Sequence, residues 1–112
     1  EYRRINWIIN LIYSTSLDDL EKICDQISDH ISNSDDFVDN PNQAHLVTIN
    51  ELGASSIDVG ILCYSSVCGF SEFKKIKHRL IKNIIKIVDS NNSEFAYPSS
   101  SIFVESLPNN SE

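Results

Sequence analysis

The stretch His45-Leu46-Val47-Thr48-Ile49-Asn50-Glu51-Leu52-Gly53-Ala54-Ser55-Ser56-Ile57-Asp58-Val59-Gly60-Ile61-Leu62-Cys63-Tyr64 decides the fold. It reads as two strands, His45 to Leu52 and Ser56 to Tyr64, joined by a short turn of small residues at Gly53-Ala54-Ser55. The second run alternates, with Ile57, Val59, Ile61 and Cys63 on one face. Downstream, Phe73, Ile76, Leu80, Ile81, Ile84, Ile87 and Val88 mark the apolar stripe of a helix from about Ser71 to Val88, and lysines fill the remaining positions. Upstream, Asn33 to Gln43 is a solvated loop rich in Asp and Asn, within which Phe37 and Val38 are expected to tuck back against a helix end. Before it, Leu17, Leu20, Ile23, Cys24, Ile27 and Ile31 recur at three- and four-residue steps. Ser16 is placed to cap that helix, and Asp18, Asp19 and Glu21 complement its dipole.

The chain opens on Ile5, Trp7, Ile9, Leu11 and Tyr13 at a spacing of two, a strand with one buried face and a second face expected to be partly covered. After the second helix, Asn91-Asn92 breaks the pattern and Glu94 to Tyr97 is extended up to Pro98. The order β-α-β-β-α-β is the split β-α-β that folds as an antiparallel sheet with both helices on one face. The predicted fold is therefore an α+β ferredoxin-like sandwich over residues 1–98.

Composition bounds what such a domain can do. At 112 residues the chain has room for a single core, and its formal net charge of -7 argues against a general nucleic-acid binder. No apolar run approaches the ~20 residues of a membrane-spanning helix. No signal peptide is expected at Glu1-Tyr2-Arg3-Arg4, and the lack of any Met suggests a piece of a longer protein. Cys24, Cys63 and Cys68 make neither a disulfide framework nor a CxxC pair, and Cys63 falls on a buried phase.

Catalytic and cofactor chemistry is not expected. His30, His45 and His78 have no metal-ligand spacing, and each is expected to be a helix-end or surface imidazole. Asp35-Asp36-Phe37-Val38-Asp39 lacks the alternating oxygens and glycine of a calcium loop. Gly53, Gly60 and Gly69 are too scattered to cradle a phosphate. The third strand, Ile57 to Tyr64, lacks the stacking aromatics of an RNA-recognition module. The first loop, Ser14-Thr15-Ser16, lacks the cysteine pair of a copper chaperone.

One segment is left over. Ser101-Ile102-Phe103-Val104-Glu105-Ser106-Leu107 is strand-like, yet it follows a finished domain. A lone strand cannot satisfy its own backbone groups, so it must pair with the sheet edge, pair with another chain, or stay unfolded. Pro108 to Glu112 reads as a frayed polar tail.

Three stretches carry a family resemblance. Arg3-Arg4-Ile5-Asn6-Trp7-Ile8-Ile9-Asn10-Leu11-Ile12-Tyr13-Ser14-Thr15-Ser16 resembles the start of the C-terminal cytoplasmic domain of MscS-type mechanosensitive channels. Glu51-Leu52-Gly53-Ala54-Ser55-Ser56-Ile57-Asp58-Val59 is similar to that family's turn of small residues before an apolar strand. Glu94-Phe95-Ala96-Tyr97-Pro98-Ser99-Ser100-Ser101-Ile102-Phe103-Val104 resembles its aromatic-Pro step and terminal strand. The family's Gly-Ile step is replaced by Asn91-Asn92-Ser93, and Asn tolerates the left-handed backbone that Gly supplies.

The resemblance implies a cytoplasmic cage domain of a heptameric channel opened by membrane tension, set in a bacterial inner membrane by segments upstream of this chain. Ions and small solutes would pass through it, and no cofactor or nucleic acid is implied. Residues 99–107 would be a barrel strand shared among subunits, with Ile102, Phe103, Val104 and Glu105 at the oligomer interface. Phe95, Tyr97 and Pro98 would anchor it, and residues 108–112 would be a disordered tail. Residues alone leave open a free-standing ferredoxin-like regulatory or ligand-binding module.

Overall fold

The computed structural model of the chain describes residues 2–53 and 55–96. The elements follow in the order β1 (Arg4–Leu11), α1 (Leu17–Asn33), β2 (Phe37–Val38), β3 (Leu46–Leu52), β4 (Ile57–Ser65) and α2 (Phe70–Ser90). Strand β4 is the centre of the sheet. Along one edge it pairs antiparallel with the whole of β1, Ile9 opposite Val59; along the other it pairs with β3, Val47 opposite Ile61, and then with β2, Phe37 opposite Ser65.

Alternation explains why β4 takes that place. Ile57, Val59, Ile61, Cys63 and Ser65 are all buried and point to one side. Ile5 and Leu11 of β1 join them, and the two helices cover that same side with Leu20, Ile23, Ile27 and Ile31 from α1 and Ile76, Leu80, Ile84 and Val88 from α2. Each such aliphatic side chain removed from water contributes roughly 1.5–3 kcal/mol before the entropy of ordering it. The antiparallel sheet with both helices on one face is the architecture expected from the sequence.

Local chemistry sets the helix ends. The Ser16 hydroxyl accepts the Asp19 N–H at 3.1 Å, and Asp18 and Asp19 occupy the first turn of α1. Helix α2 stops where the Asn91 N–H donates to Val88 O at 3.2 Å, and Asn92 takes φ 59. This is the left-handed step that the Asn91-Asn92-Ser93 substitution was expected to permit.

Four details depart from the sequence reading. Phe37 and Val38 do tuck back, but as strand β2, and Phe37 is buried with its ring edge-on to His30. The outer face of β1 is bare where partial cover was expected: Ile8 is 58% exposed. Leu17 and Ile81 belong to the apolar stripes by spacing and yet face solvent, because each lies at the margin of its stripe. His45 is no surface imidazole. It lies just before β3, its Nε2 is 2.7 Å from Ser28 Oγ, and its Nδ1 is 3.0 Å from Asp39 Oδ2.

Candidate functional site

The segment that leaves α2 returns along the free edge of β1. The Ile12 N–H donates to Glu94 O at 3.1 Å, the Ala96 N–H donates to Asn10 O at 2.7 Å, and Phe95 bridges antiparallel to Leu11. The final strand of the expected topology is represented, among the described residues, by this bridge. Beneath it, the Thr15 hydroxyl donates to Ile12 O at 2.8 Å and lies 2.7 Å from Ser93 Oγ, with both residues buried. Thr has one hydroxyl proton, so Ser93 is the donor in that second bond. The pair locks the β1–α1 turn to the exit of α2.

Phe95 is thus held by backbone on the β1 edge while its ring stays partly exposed. It lines an open cleft of about 310 Å³ together with Ile85, Val88, Asp89, Ser93, Glu94 and Ala96. Of the residues expected to form the anchor and the oligomer interface, Phe95 alone lies within the described region. Tyr97, Pro98, Ile102, Phe103, Val104 and Glu105 fall outside it.

Charge is sorted by helix. Helix α1 carries Asp18, Asp19, Glu21, Asp25 and Asp29 against Lys22, whereas α2 carries Lys74, Lys75, Lys77, Arg79, Lys82 and Lys86 against Glu72 and Asp89. One ion pair ties α2 to the loop after α1: Arg79 grips both oxygens of Asp36 at 2.8 Å. The guanidinium's hydrogen bonds hold the Asp36 carboxyl below the usual carboxylate range. Burial pushes His30 below its ordinary value, with nearby Asp36 opposing. Asp39 is held down first by the His45 backbone N–H and then by the His45 ring.

Burial pushes Cys63 up to about 12, and burial followed by the Asp25 and Glu21 carboxylates raises Cys24, so neither is a ready nucleophile at neutral pH. Among the described residues, no three His, Cys, Asp or Glu side chains are placed to share a metal ion. No described helix is long and apolar enough to cross a membrane.

The sequence profile described as "Mechanosensitive ion channel MscS, C-terminal" matches residues 5–95. The chain belongs to the MscS family. A relative described as an uncharacterised MscS family protein, from Aquifex aeolicus, is 29% identical over 106 residues, covering 95% of this chain and 28% of its own length. A similarly described Helicobacter pylori protein is 34% identical over 74 residues, covering 66% of this chain and 12% of its own length. The MscS domain is therefore a small fraction of the length of its relatives. Among solved structures, the cryo-EM structure of Arabidopsis thaliana MSL1 superposes with a TM-score of 0.77 at 16% identity, over 88% of this chain and 35% of that one. The closed-state crystal structure of Helicobacter pylori MscS gives 0.65 at 22% identity, over 86% and 35%. At these identities the superpositions establish the shared fold.

Sequence reasoning missed two features of this region in the MscS domain. Ile85, which follows Ile84 directly, lies off the buried stripe and is 50% exposed. The Asp36–Arg79 clamp spans 43 positions and left no local signal.

Proposed function

We propose that this chain is the cytoplasmic domain of a channel that membrane tension opens, with a role in osmotic protection. The observation that carries this reading is the family match along nearly the whole folded body, residues 5–95. Channel segments that cross the bilayer would lie elsewhere in the full-length protein, which sits in a bacterial inner membrane with this domain on the cytoplasmic side. Copies of the domain, seven in the complete channel, form a cage through which ions and small solutes reach the pore. The domain works by assembly and access, without catalysis.

In this reading residues 1–98 are the wall of the cage and 99–107 supply one strand each to a closing β-barrel; that strand and the expected tail at 108–112 lie outside the described residues. Ile102, Phe103, Val104 and Glu105 make the barrel contacts, and closure of the ring satisfies edges that a lone strand would leave unpaired. Phe95, Tyr97 and Pro98 fix the strand to the body, a role that the antiparallel bridge between Phe95 and Leu11 supports.

The test is patch-clamp recording of the full-length protein reconstituted in liposomes, with and without residues 99–107. Suction should open discrete conductances, and the deletion should reduce assembled oligomer on native gels. Absence of tension-activated current from the intact, assembled protein would overturn the reading.

A further inference from the structure

The two lateral edges of the MscS domain differ in charge, and each carries exposed apolar side chains. On the β3 edge, helix α1 places Glu21 and Asp25 beside Val47 and Ile49. Ile49 is 41% exposed and Leu52 is 70% exposed. On the β1 edge, Lys74, Lys77, Ile81 and Ile85 recur along α2 at three- and four-residue steps, so they form one stripe. Ile85 lines the cleft with Phe95, which fixes that stripe on the side where the chain runs back along β1. Ile81 and Ile85 are about half exposed.

These charges are not consumed within the fold. Among the described residues, none of Glu21, Asp25, Lys74 and Lys77 takes part in an ion pair. The two lysines instead lie over the rings of Phe70 and Phe73, at 5.4 Å in each case.

We propose that the acidic α1–β3 edge of one copy of this chain seats against the basic α2 edge of the next. The proposal rests on the multi-copy cage proposed above and names the lateral contact within it. Because β3 and β1 lie on opposite sides of β4, the contact joins two different surfaces and is head-to-tail, the geometry that repeats around a ring and can close. Apolar groups at its centre, Ile49 against Ile81 and Ile85, supply burial. Lys74 and Lys77, at the end of the stripe away from the Asp89 and Glu94 that also border Ile85, fix which edge meets which, since like charges repel.

Cysteine cross-linking of the full-length channel in membranes tests the contact. In a Cys24→Ser, Cys68→Ser background, Ile49→Cys together with Ile85→Cys should give a ladder of cross-linked copies, and neither substitution alone should. Reversing one edge with Glu21→Lys and Asp25→Lys should lower ladder yield about tenfold. Adding Lys74→Glu and Lys77→Glu should restore it, which a misfolded variant would not do. Single-cysteine cross-linking as strong as the double, no ladder from the double, or no recovery on reversing both edges would each overturn the proposal. The ladder is read without applying tension. A ladder without tension-activated current removes the functional reading and leaves the contact, whereas current without a ladder removes the contact alone.

Discussion

Gly60 in β4 lies against the Asn50 side chain, which sits where the β3–β4 register shifts between Ile49 and Glu51. A Cβ at Gly60 would meet Asn50 Nδ2 at 2.7 Å and Oδ1 at 2.8 Å, so the amide must move if any side chain is added. Gly60→Ala is expected to cost about 1 kcal/mol in urea denaturation, the low end for overpacking because the clashing group is a side-chain tip. Asn50→Ala in the same chain should return most of that loss; a double variant no more stable than Gly60→Ala would show that the contact is not the cause. Gly69→Ala, with nothing within 4 Å, should be close to neutral. The Asp36–Arg79 pair gives a prediction in pH. The carboxyl's pKa is lowered on folding, so the unfolded chain binds the proton more readily. The pair's stabilisation is then complete above the unfolded value of about 3.9 and disappears as pH falls through the lower folded value. Arg79→Met should therefore lower the melting temperature at pH 7, with the gap to the parent chain closing below about pH 4. A gap that stays constant from neutral to strongly acidic pH would mean that Arg79 acts through packing alone.

At the scale of elements, both helices were legible because a 3.6-residue pattern with a cap or an acidic first turn is redundant over several turns. Strand β2 was not, since two residues carry no period, and only the pairing of Phe37 with Ser65 and of Val38 with Tyr64 defines it. The stripes gave the buried set of α1 and α2 correctly at their centres and failed at Leu17 and Ile81, where burial depends on how wide a face the sheet covers. The extended course at Phe95 was legible through its aromatic-Pro setting, and the structure bridges it to Leu11, whereas the charge-sorted edges required knowing which helix lies over which strand. Helix termination offers a direct check. Asn92 at φ 59 ends α2, and the Asn91 side chain donates to Ile87 O at 2.8 Å and to Gln26 Oε1 at 3.0 Å, fastening that end to α1. Asn92→Ala should cost about 1 kcal/mol through the left-handed backbone, and Asn92→Gly should be tolerated. Equal stability of the Ala and Gly variants in chemical denaturation would show that the turn relaxes out of that conformation. At the start of α1, Ser16→Ala should cost about 1 kcal/mol by removing the acceptor for the Asp19 N–H.

The described fold is organised around one strand: β1, β2 and β3 all pair with β4, and Cys63 sits within it at 0% exposure, covered by the helices. A thiol there has no route to solvent that leaves the sheet paired and the helices seated, so its exposure should report the opening of the entire domain rather than of a part. Burial adds a chemical barrier by raising its pKa to about 12, so the thiolate that reacts with a labelling reagent is scarce until the fold opens. Cys68, exposed in the β4–α2 connection, has neither protection, and Cys24 on the α1–β3 side is only partly covered. Mass-resolved alkylation at neutral pH should therefore modify Cys68 first and Cys63 last. Because globular domains keep only about one molecule in 10³–10⁶ unfolded, Cys63 should lag Cys68 by roughly a thousandfold or more. Its rate should rise with urea along the slope of the global transition, as expected when the surface exposed to reach it is that of complete unfolding. A Cys63 rate insensitive to urea, or within tenfold of Cys68, would place a local opening between the helices and β4.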